Sequence, residues 1–455
     1  MPLTGMSPVA FPGIHQSDPR QEGEAVRTIL TGRPLLVDSH EGWLMDRRSR
    51  PRCTTLFLAP ALAALAAPSL AGCGDGSPGP SVSSAPRTGC VTDFDENTDY
   101  FPDKTRIRDA KGFSVEYHRS YKVVTVKEST QAGPAETYVL VQCGAPDPRL
   151  TGDLAAARRI SVPVTRIASS STTQLPGLDL LGALDTVVAV GSPDLVNTTK
   201  AADLIRSGKI SGFSNDSGEV NVEKVAAARP DLYMAGGMDG DVLSKLVELK
   251  IPVVADSAWL EQSPLGRAEW LKYEALFLNA EKKAEQEYST ISDNYHRTQG
   301  LARGAKNRPA VLTGKQHDGT WQRAGGRSYV AAYIADAGGD YVFADTTGTG
   351  TSPVDVETVL ARGAKAPFWL NAEMTRGWRS TADVVKEDSR YASLRAVKED
   401  SVWSPVRRIN DAGGNDYWES GVLHPDVVLE DLVAILHPEL LPDHEFVYYI
   451  RLGSR

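Results

Sequence analysis

Two acidic residues occupy matching positions in the two halves of the chain. Glu223 lies in the stretch 221–225 (NVEKV) and Glu357 in the stretch 355–359 (DVETV), and a proline and an apolar segment follow each stretch. An Asn or Asp at a helix start with a Glu in the first turn is favoured by capping and by the helix dipole, and this alone explains both residues. Their recurrence at equivalent places keeps open a second interpretation, in which both carboxylates serve recognition.

A second group of residues could hold a bulky, anionic and partly aromatic ligand through hydroxyl, guanidinium and ring contacts. Its members are Ser170, Thr172, Thr173, Trp321, Arg327, Trp378, Arg408, Tyr417 and Trp418. Trp321 and Arg327 are the foremost candidates, because the Gly325-Gly326 turn beside a helix start can present anion-binding amides. Ordinary packing remains the alternative for each aromatic ring, and simple solvation remains the alternative for each arginine.

Other kinds of chemistry have weaker support in the sequence. There is no GxSxG, HExxH, SxxK or Walker A motif, although the abundant carboxylates leave an exported hydrolase as a competing class. Transition-metal sites prefer clustered histidines and carboxylates, and His437 and His444 are the one pair worth considering as ligands. The net charge of −9 gives no reason to expect nucleic-acid binding.

The N-terminal region predicts export and a lipid anchor. Four arginines between residues 47 and 52 precede a short apolar stretch at 56–70, which ends in Leu-Ala-Gly-Cys with the cysteine at Cys73. A basic segment, a short apolar segment and small residues before a cleavage point are typical of a secretory signal, and this ending resembles a bacterial lipobox. A buried Ala/Leu helix followed by an incidental cysteine is the alternative. No apolar run reaches the roughly 20 residues that a membrane-spanning helix needs.

We assign residues 45–73 to the signal peptide and residues 1–44 to a disordered upstream extension. Residues 74–90 are rich in Gly, Ser and Pro and predict a flexible tether. An exported context permits a disulfide between Cys90 and Cys143, with two separate thiols as the alternative.

The apolar pattern predicts an α/β organisation in two similar halves. A β-rich region at about 104–144 is followed by strands that alternate with helices, which implies parallel sheets covered on both faces. A long helical stretch separates the halves, with Pro264 near its start and Arg303 near its end. The predicted units are an N-terminal lobe at 91–262, a connecting helix at 263–303 and a C-terminal lobe at 304–455.

An ordered set of short segments resembles the substrate-binding proteins of iron-siderophore and vitamin B12 importers. The likeness covers about 100–445, and its carriers are the Ser/Thr loop before 175–178 (LPGL), 181–185 (LGALD), 223–231 (EKVAAARPD), 264–270 (PLGRAEW), 325–329 (GGRSY), 413–419 (GGNDYWE) and 424–431 (HPDVVLED). The resemblance implies an α/β fold of two Rossmann-like lobes joined by one long α-helix, with a ligand between the lobes.

The resemblance also implies partners and a ligand. Family members dock one glutamate of each lobe onto arginines of an ABC-transporter permease dimer, and the matching residues here are Glu223 and Glu357. The implied ligand is a ferric siderophore-type chelate, with a corrinoid or heme as the alternative. The vitamin B12-binding member has a tryptophan six residues before each docking glutamate, whereas this chain has Ser217 and Thr351. This departure weakens the corrinoid interpretation.

We therefore expect a lipid-anchored protein on the outer face of the cytoplasmic membrane. It is expected to be a monomer that binds no nucleic acid, carries no cofactor and catalyses no reaction.

Overall fold

The computed structural model describes residues 89–215, 218–237 and 239–453. The predicted upstream extension, the signal peptide with Cys73, nearly all of the tether and Ser217 lie outside this part of the chain. Within it, no helix combines the length and apolar character needed to cross a membrane.

A four-stranded sheet opens the described part of the chain, in the order β1-β2-β3-β4. Its strands are β1 (Phe113–Tyr117), β2 (Tyr121–Val126), β3 (Glu136–Gln142) and β4 (Arg158–Val162). The first three strands pair antiparallel, and β4 runs parallel to β3. A disulfide joins Cys90 to Cys143, with the two Cα atoms 4.6 Å apart, so the segment before the sheet is tied to the end of β3.

The N-terminal lobe is built on a five-stranded parallel sheet in the order β7-β6-β5-β8-β9. Its elements are β5 (Ile167–Ser169), α1 (Leu175–Leu180), β6 (Val187–Val190), α2 (Thr199–Arg206), β7 (Ser211–Gly212), α3 (Val222–Ala228), β8 (Leu232–Ala235), α4 (Val242–Glu248) and β9 (Val253–Ala255). The order reverses at β5, the strand that precedes the Ser/Thr loop. In open parallel sheets, ligands bind at the carboxyl ends of the strands beside such a reversal.

Three successive helices occupy the connecting segment, where the sequence predicted one. They are α5 (Pro264–Ala268), α6 (Trp270–Leu276) and α7 (Glu281–Arg303). The chain breaks before α7 because Asn279 adopts a left-handed conformation with φ of 52°, which an α-helix cannot continue through. The long helix α7 has 23 residues, which corresponds to about 35 Å at about 1.5 Å per residue.

Buried carboxylates attach this segment to the chain that precedes β1. Glu269 accepts hydrogen bonds from the backbone N–H groups of Arg108, Asp109 and Ala110 at 2.7–3.0 Å. The ammonium of Lys272 lies 2.8 Å from Glu269, and both side chains are fully buried. Because two buried charges are acceptable only when they are paired and hydrogen-bonded, this network holds α6 rigidly against the rest of the lobe.

The C-terminal lobe has a smaller parallel sheet in the order β13-β10-β15 and a separate antiparallel sheet in the order β11-β12-β14. Its strands are β10 (Ala310–Thr313), β11 (Lys315–His317), β12 (Thr320–Ala324), β13 (Asp340–Tyr341), β14 (Thr351–Val354), β15 (Phe368–Leu370), β16 (Trp403–Ser404) and β17 (Ile450–Arg451). Its helices are α8 (Tyr329–Asp336), α9 (Val356–Gly363), α10 (Thr381–Glu387), α11 (Arg395–Lys398), α12 (Ser420–Leu423) and α13 (Pro425–Leu436).

Each lobe has its own hydrophobic core. Helices α7 and α13 pack against each other, and both belong to the framework that supports the two sheets. The predicted fold class is confirmed, because the chain forms a mixed α/β structure with a parallel sheet in each of two lobes.

Candidate functional site

The Ser/Thr loop lies at the carboxyl end of β5, beside the end of β8. The hydroxyl of Ser170 accepts a hydrogen bond from the N–H of Gly236 at 2.6 Å and donates to Asp239 at 3.3 Å. Gly236 is required here, since a Cβ atom on it would approach the side chain of Ser171 to 2.7 Å. The loop after β5 and the loop after β8 are therefore fitted closely together.

Asp239 is a half-buried carboxyl that sequence reasoning missed. Its second oxygen accepts a hydrogen bond from the hydroxyl of Tyr233 at 2.5 Å. Burial raises the pKa of Asp239 above its ordinary value, although hydrogen bonds from Tyr233 and Ser170 oppose this shift. The signal that could have located it is the Gly236-Gly237 pair directly after a buried strand, which allows a close approach of the backbone.

The other two predicted hydroxyls begin the short turn Thr172–Gln174. The hydroxyl groups of Ser171 and Thr173 are 2.8 Å apart, and Ser171 also accepts the N–H of Thr173 at 3.3 Å. Thr172 and Thr173 are half-buried. The structure thus brings Ser170, Thr172 and Thr173 into one polar edge of the N-terminal lobe.

A small cavity of about 20 Å³ lies behind this loop, against α5 and α6. Thr173, Asp256, Arg267 and Glu274 contribute its polar lining. Burial raises the pKa of Asp256 to about 6 and raises the pKa of Glu274 well above its usual range. The cavity has room for about one water molecule and is too small for a chelate.

Arg267 links the cavity to the C-terminal lobe. Its guanidinium lies over the ring of Tyr329 at 4.3 Å from the ring centroid, which is a favourable cation–π geometry. The sequence placed Arg267 in a motif of the resemblance but assigned no role to it. Half-buried between the lobes, it is a better candidate for an anionic ligand than several of the residues that the sequence put forward.

The prediction that Trp321 faces a ligand needs correction, because this side chain is fully buried. Its indole N–H donates to the carbonyl of Thr313 at 3.1 Å, and its ring packs against Trp369 with the centroids 5.3 Å apart. Trp321 lies on β12 and its side chain points into the core of the C-terminal lobe. Packing, the alternative given above, explains it.

Trp378 needs the same correction, since only 4% of the residue is exposed. Its ring contacts Trp369 edge-on, and its N–H donates to Glu387 at 2.7 Å. The ammonium of Lys315 lies 4.0 Å from its ring centroid, and this cation also pairs with Glu373 at 2.9 Å. Trp378 is therefore enclosed by Trp369, Glu387 and Lys315, and its ring is not exposed to a ligand.

Arg327 is exposed, but the expected anion-binding turn beside it is already occupied by the chain itself. The N–H groups of Gly325 and Arg327 donate to the carbonyls of Gly350 and Gly348. The N–H of Gly326 donates to the hydroxyl of Thr346 at 2.9 Å. The backbone amides of this turn are therefore not free for an anion, and only the Arg327 side chain remains a candidate.

The remaining predicted residues lie together on the segment before α12. Arg408 is half-exposed and pairs with Asp416 at 2.9 Å. Tyr417 is buried between Tyr448 and Tyr449 with ring centroids about 6 Å away, so the prediction of a ligand contact is corrected to packing. Trp418 is half-buried, and its ring meets that of Tyr417 edge-on at 4.8 Å.

Glu223 and Glu357 are both exposed and both lie in the first turn of a short helix. Asn221 caps α3 by accepting the N–H of Lys224, and Asp355 caps α9 by accepting the N–H of Thr358. Each helix leads directly into a parallel strand of its sheet, so its first turn lies at the edge where the strands end. The two carboxylates therefore occupy equivalent places on the two lobes.

The described residues contain no group of three or more His, Cys, Asp and Glu side chains that could hold a metal ion. His437 is buried against the carbonyl of Gly338, and His444 pairs with Asp431 at 2.6 Å. These two histidines have separate structural partners and do not form a ligand pair.

Comparisons with known proteins agree with this architecture. The family model described as periplasmic binding protein matches residues 167–404. An uncharacterised lipoprotein of Methanocaldococcus jannaschii is 31% identical over 306 residues, which cover 64% of this chain and 70% of the relative. A second uncharacterised lipoprotein of that organism is 25% identical over 361 residues, which cover 76% and 86% of the two chains.

Among solved structures, a periplasmic binding protein from Veillonella parvula superposes with a TM-score of 0.50 at 15% identity, over 72% of this chain and 98% of that one. The two lobes, each with its own parallel sheet, give the chain the fold of a two-lobed periplasmic binding protein. It belongs to the periplasmic binding protein family, whose model matches more than half of its length.

Proposed function

We propose that this protein is a lipid-anchored, extracytoplasmic solute-binding protein that captures a ferric siderophore-type chelate and delivers it to the permease dimer of an ABC importer. The observation that carries the proposal is the pair of exposed glutamates, Glu223 and Glu357, at equivalent places on the two lobes. An exposed carboxylate can accept a bidentate arginine bond, and two such contacts on separate lobes would fix the orientation of a docked protein.

The chelate is supported by the chemistry of the strand-end edges. Hydroxyls of Ser170, Thr172 and Thr173 lie on one lobe. Arg327 and Arg408 present exposed guanidinium groups on the other, with Arg408 held by Asp416, and Trp418 adds an aromatic ring. Cationic and hydrogen-bonding groups of this kind suit a bulky anionic ligand.

A membrane anchor is supported by the lipobox-like sequence that ends at Cys73 and by two relatives that are named as lipoproteins. Such an anchor would hold the binding lobes beside a membrane-embedded permease. Metabolic labelling with a radioactive fatty acid tests it, since the wild-type chain should be labelled and Cys73→Ala should not.

Native mass spectrometry against ferric siderophores, heme and cobalamin tests the ligand class. The proposal expects a one-to-one complex with at least one ferric siderophore and intact ligand after prolonged incubation. Binding of only heme or cobalamin would show that the protein captures that ligand and not a siderophore. Consumption of the ligand would favour the hydrolase alternative.

Uptake of the radiolabelled ligand into whole cells tests docking separately from capture. The double variant Glu223→Ala/Glu357→Ala should lose uptake while its ligand affinity stays within about twofold of the wild type. Glu248→Ala removes another exposed glutamate, at the end of α4, and is the matched control. Normal uptake by the double variant would reject the docking role of both residues.

A further inference from the structure

A buried carboxylate of the C-terminal lobe binds the start of a helix in the N-terminal lobe. One oxygen of Glu419 accepts the N–H of Asn197 at 2.8 Å, and the other accepts the N–H and the hydroxyl of Thr198, each at 2.6 Å. Only 1% of Glu419 is exposed, so these bonds are shielded from solvent. Residues 197 and 198 immediately precede α2.

These bonds replace a cap that α2 does not provide for itself. Thr198 is the N-cap residue, yet its side chain makes no capping bond to the helix and donates to Glu419 instead. The free amides and the positive end of a helix favour a nearby carboxylate. Here that carboxylate comes from a residue more than 200 positions further along the chain, in the other lobe.

A second contact reinforces the first on the same side of the molecule. The side-chain amide of Asn410 donates to the carbonyls of Asp194 and Val196 at 3.0 and 3.3 Å. Its oxygen accepts the N–H groups of Ala412 and Gly414, so the amide is held in position. Side chains of the C-terminal lobe are therefore hydrogen-bonded to backbone groups of the N-terminal lobe at two neighbouring points, Glu419 and Asn410.

Apolar packing continues the contact beyond Glu419. Helix α12 packs against α1 and the turn Thr172–Gln174, and Leu423 joins the core of the N-terminal lobe. The segment from Asn410 to Leu423 thus crosses from one lobe to the other.

The same segment supports a candidate ligand contact. The N–H of Glu419 donates to the carbonyl of Asp416 at 3.1 Å, and the carboxylate of Asp416 holds Arg408 at 2.9 Å. The N–H of Asp416 in turn donates to the carbonyl of Arg408 at 2.9 Å. A shift of Glu419 would therefore move Asp416, whose carboxylate holds the Arg408 side chain.

We propose that Glu419 is an interlobe clasp: it caps α2 from across the lobe boundary, prevents the lobes from separating on this side, and positions Arg408 for an incoming ligand. The part concerning Arg408 rests on the proposed function, whereas the clasp itself does not.

Residue-resolved hydrogen exchange of the full chain, without ligand, tests the clasp. In Glu419→Ala the amides of Asn197 and Thr198 should exchange about tenfold faster or more, because each loses a charge-assisted hydrogen bond. The amides of β6 should keep their protection. Asp411→Asn changes an exposed carboxyl of the same segment and should leave every one of these rates unchanged.

Two milder variants keep the test decisive if Glu419→Ala folds poorly. Thr198→Val removes only the hydroxyl donor, and Asn410→Ala removes the second interlobe contact together with its bonds to Ala412 and Gly414. Each should raise exchange at 197 and 198 by a smaller factor than Glu419→Ala. Solution X-ray scattering should show a larger radius of gyration for Glu419→Ala than for Asp411→Asn. Unchanged exchange and an unchanged radius would overturn the clasp.

The experiment separates this proposal from the proposed function. Faster exchange in Glu419→Ala, together with a wild type that binds no chelate, heme or cobalamin, would uphold the clasp and reject the proposed capture. If a chelate binds, Glu419→Ala should weaken it about as much as Arg408→Ala does, and Glu419→Gln should restore part of the loss. An effect of Arg408→Ala without any effect of Glu419→Ala would refute the positioning of Arg408.

Discussion

The guanidinium of Arg390 lies against Glu357, with Nη1 2.7 Å from Oε1 of the glutamate, and Asp388 holds the other side of the same guanidinium at 2.6 Å. Within the described part of the chain, Glu223 has no corresponding hydrogen bond or ion pair. The two equivalent carboxylates therefore differ, because one is already engaged by an arginine of its own lobe. An arginine of a docking partner would have to displace Arg390 at the C-terminal lobe and would meet no competitor at the N-terminal lobe.

Arg390→Ala is accordingly expected to strengthen the proposed docking through Glu357. Removing the internal competitor leaves Glu357 free, so the association rate with permease-containing membrane vesicles should rise, most clearly at low ionic strength. Surface-plasmon resonance on captured vesicles measures the rate. Arg395→Ala removes an exposed arginine that pairs with Glu399, and it is the control that should change nothing. Weaker docking by Arg390→Ala would mean that Arg390 contributes to the interface.

Asp256→Asn should remove a pH dependence from the stability of the protein. Burial raises the pKa of Asp256 to about 6, above its ordinary value of 3.8. The protonated form is therefore the one that the fold favours, and its contribution is complete below about pH 4 and is lost as the pH rises through about 6. A shift of this size corresponds to about 3 kcal/mol.

Urea unfolding of wild type and Asp256→Asn between pH 4 and pH 8 measures this effect. The wild-type free energy of unfolding should fall relative to that of the variant as the pH rises across the interval. Asp293→Asn changes an exposed aspartate of α7 and should follow the wild type. Parallel curves for wild type and Asp256→Asn would show that this carboxyl is not shifted.

Glu269→Ala should destabilise the protein by about 3 kcal/mol, because it removes one of the two carboxylates that pair with the buried Lys272, leaving only Glu285 at 2.9 Å, and frees three backbone N–H groups. The double variant Glu269→Leu/Lys272→Met removes both charges and should be less destabilised than the single variant. Chemical denaturation followed by tryptophan fluorescence compares them. Equal loss in both variants would show that the hydrogen bonds to the segment at 108–110, and not the ion pair, carry the stability.

Replacing both cysteines of the Cys90–Cys143 disulfide by serine should lower the free energy of unfolding by about 2–4 kcal/mol, since the bond closes a long loop. The two residues are 53 positions apart in sequence. Urea unfolding of the wild type with and without a reductant should show the same difference, and the serine variant should not respond to the reductant. A response of the serine variant would point to another redox-active group.

The local pattern of the sequence was sufficient to locate several strands and helices. The β-rich region predicted at about 104–144 contains β1, β2 and β3, and the apolar segment that follows the second acidic stretch forms β15. The Asn221 and Asp355 caps begin α3 and α9. These features depend on neighbours in the sequence, so they can be read without a structure. The break before α7 was missed, although Asn279 is of a residue type that adopts the left-handed conformation more readily than most and could have signalled it.

The candidate site was harder to predict than the fold. The Ser/Thr loop was located correctly at a strand end, whereas Trp321, Trp378 and Tyr417 were expected at a surface and are buried. Aromatic rings are equally suited to a core and to a ligand, and the sequence does not say which neighbours surround them. Asp239 and Arg267 escaped notice because their roles depend on contacts with distant segments.

By itself, the sequence determined the α/β class, the two similar halves and the matching positions of Glu223 and Glu357 in those halves. Capping and apolar periodicity, on which these conclusions depend, are local properties. Only the tertiary structure decided which aromatic rings are buried, which arginine already engages Glu357, and that Glu419 caps a helix of the opposite lobe. Those outcomes join residues that are far apart in the chain, and it is the packing of the two lobes that determines which charges and hydrogen-bonding groups meet.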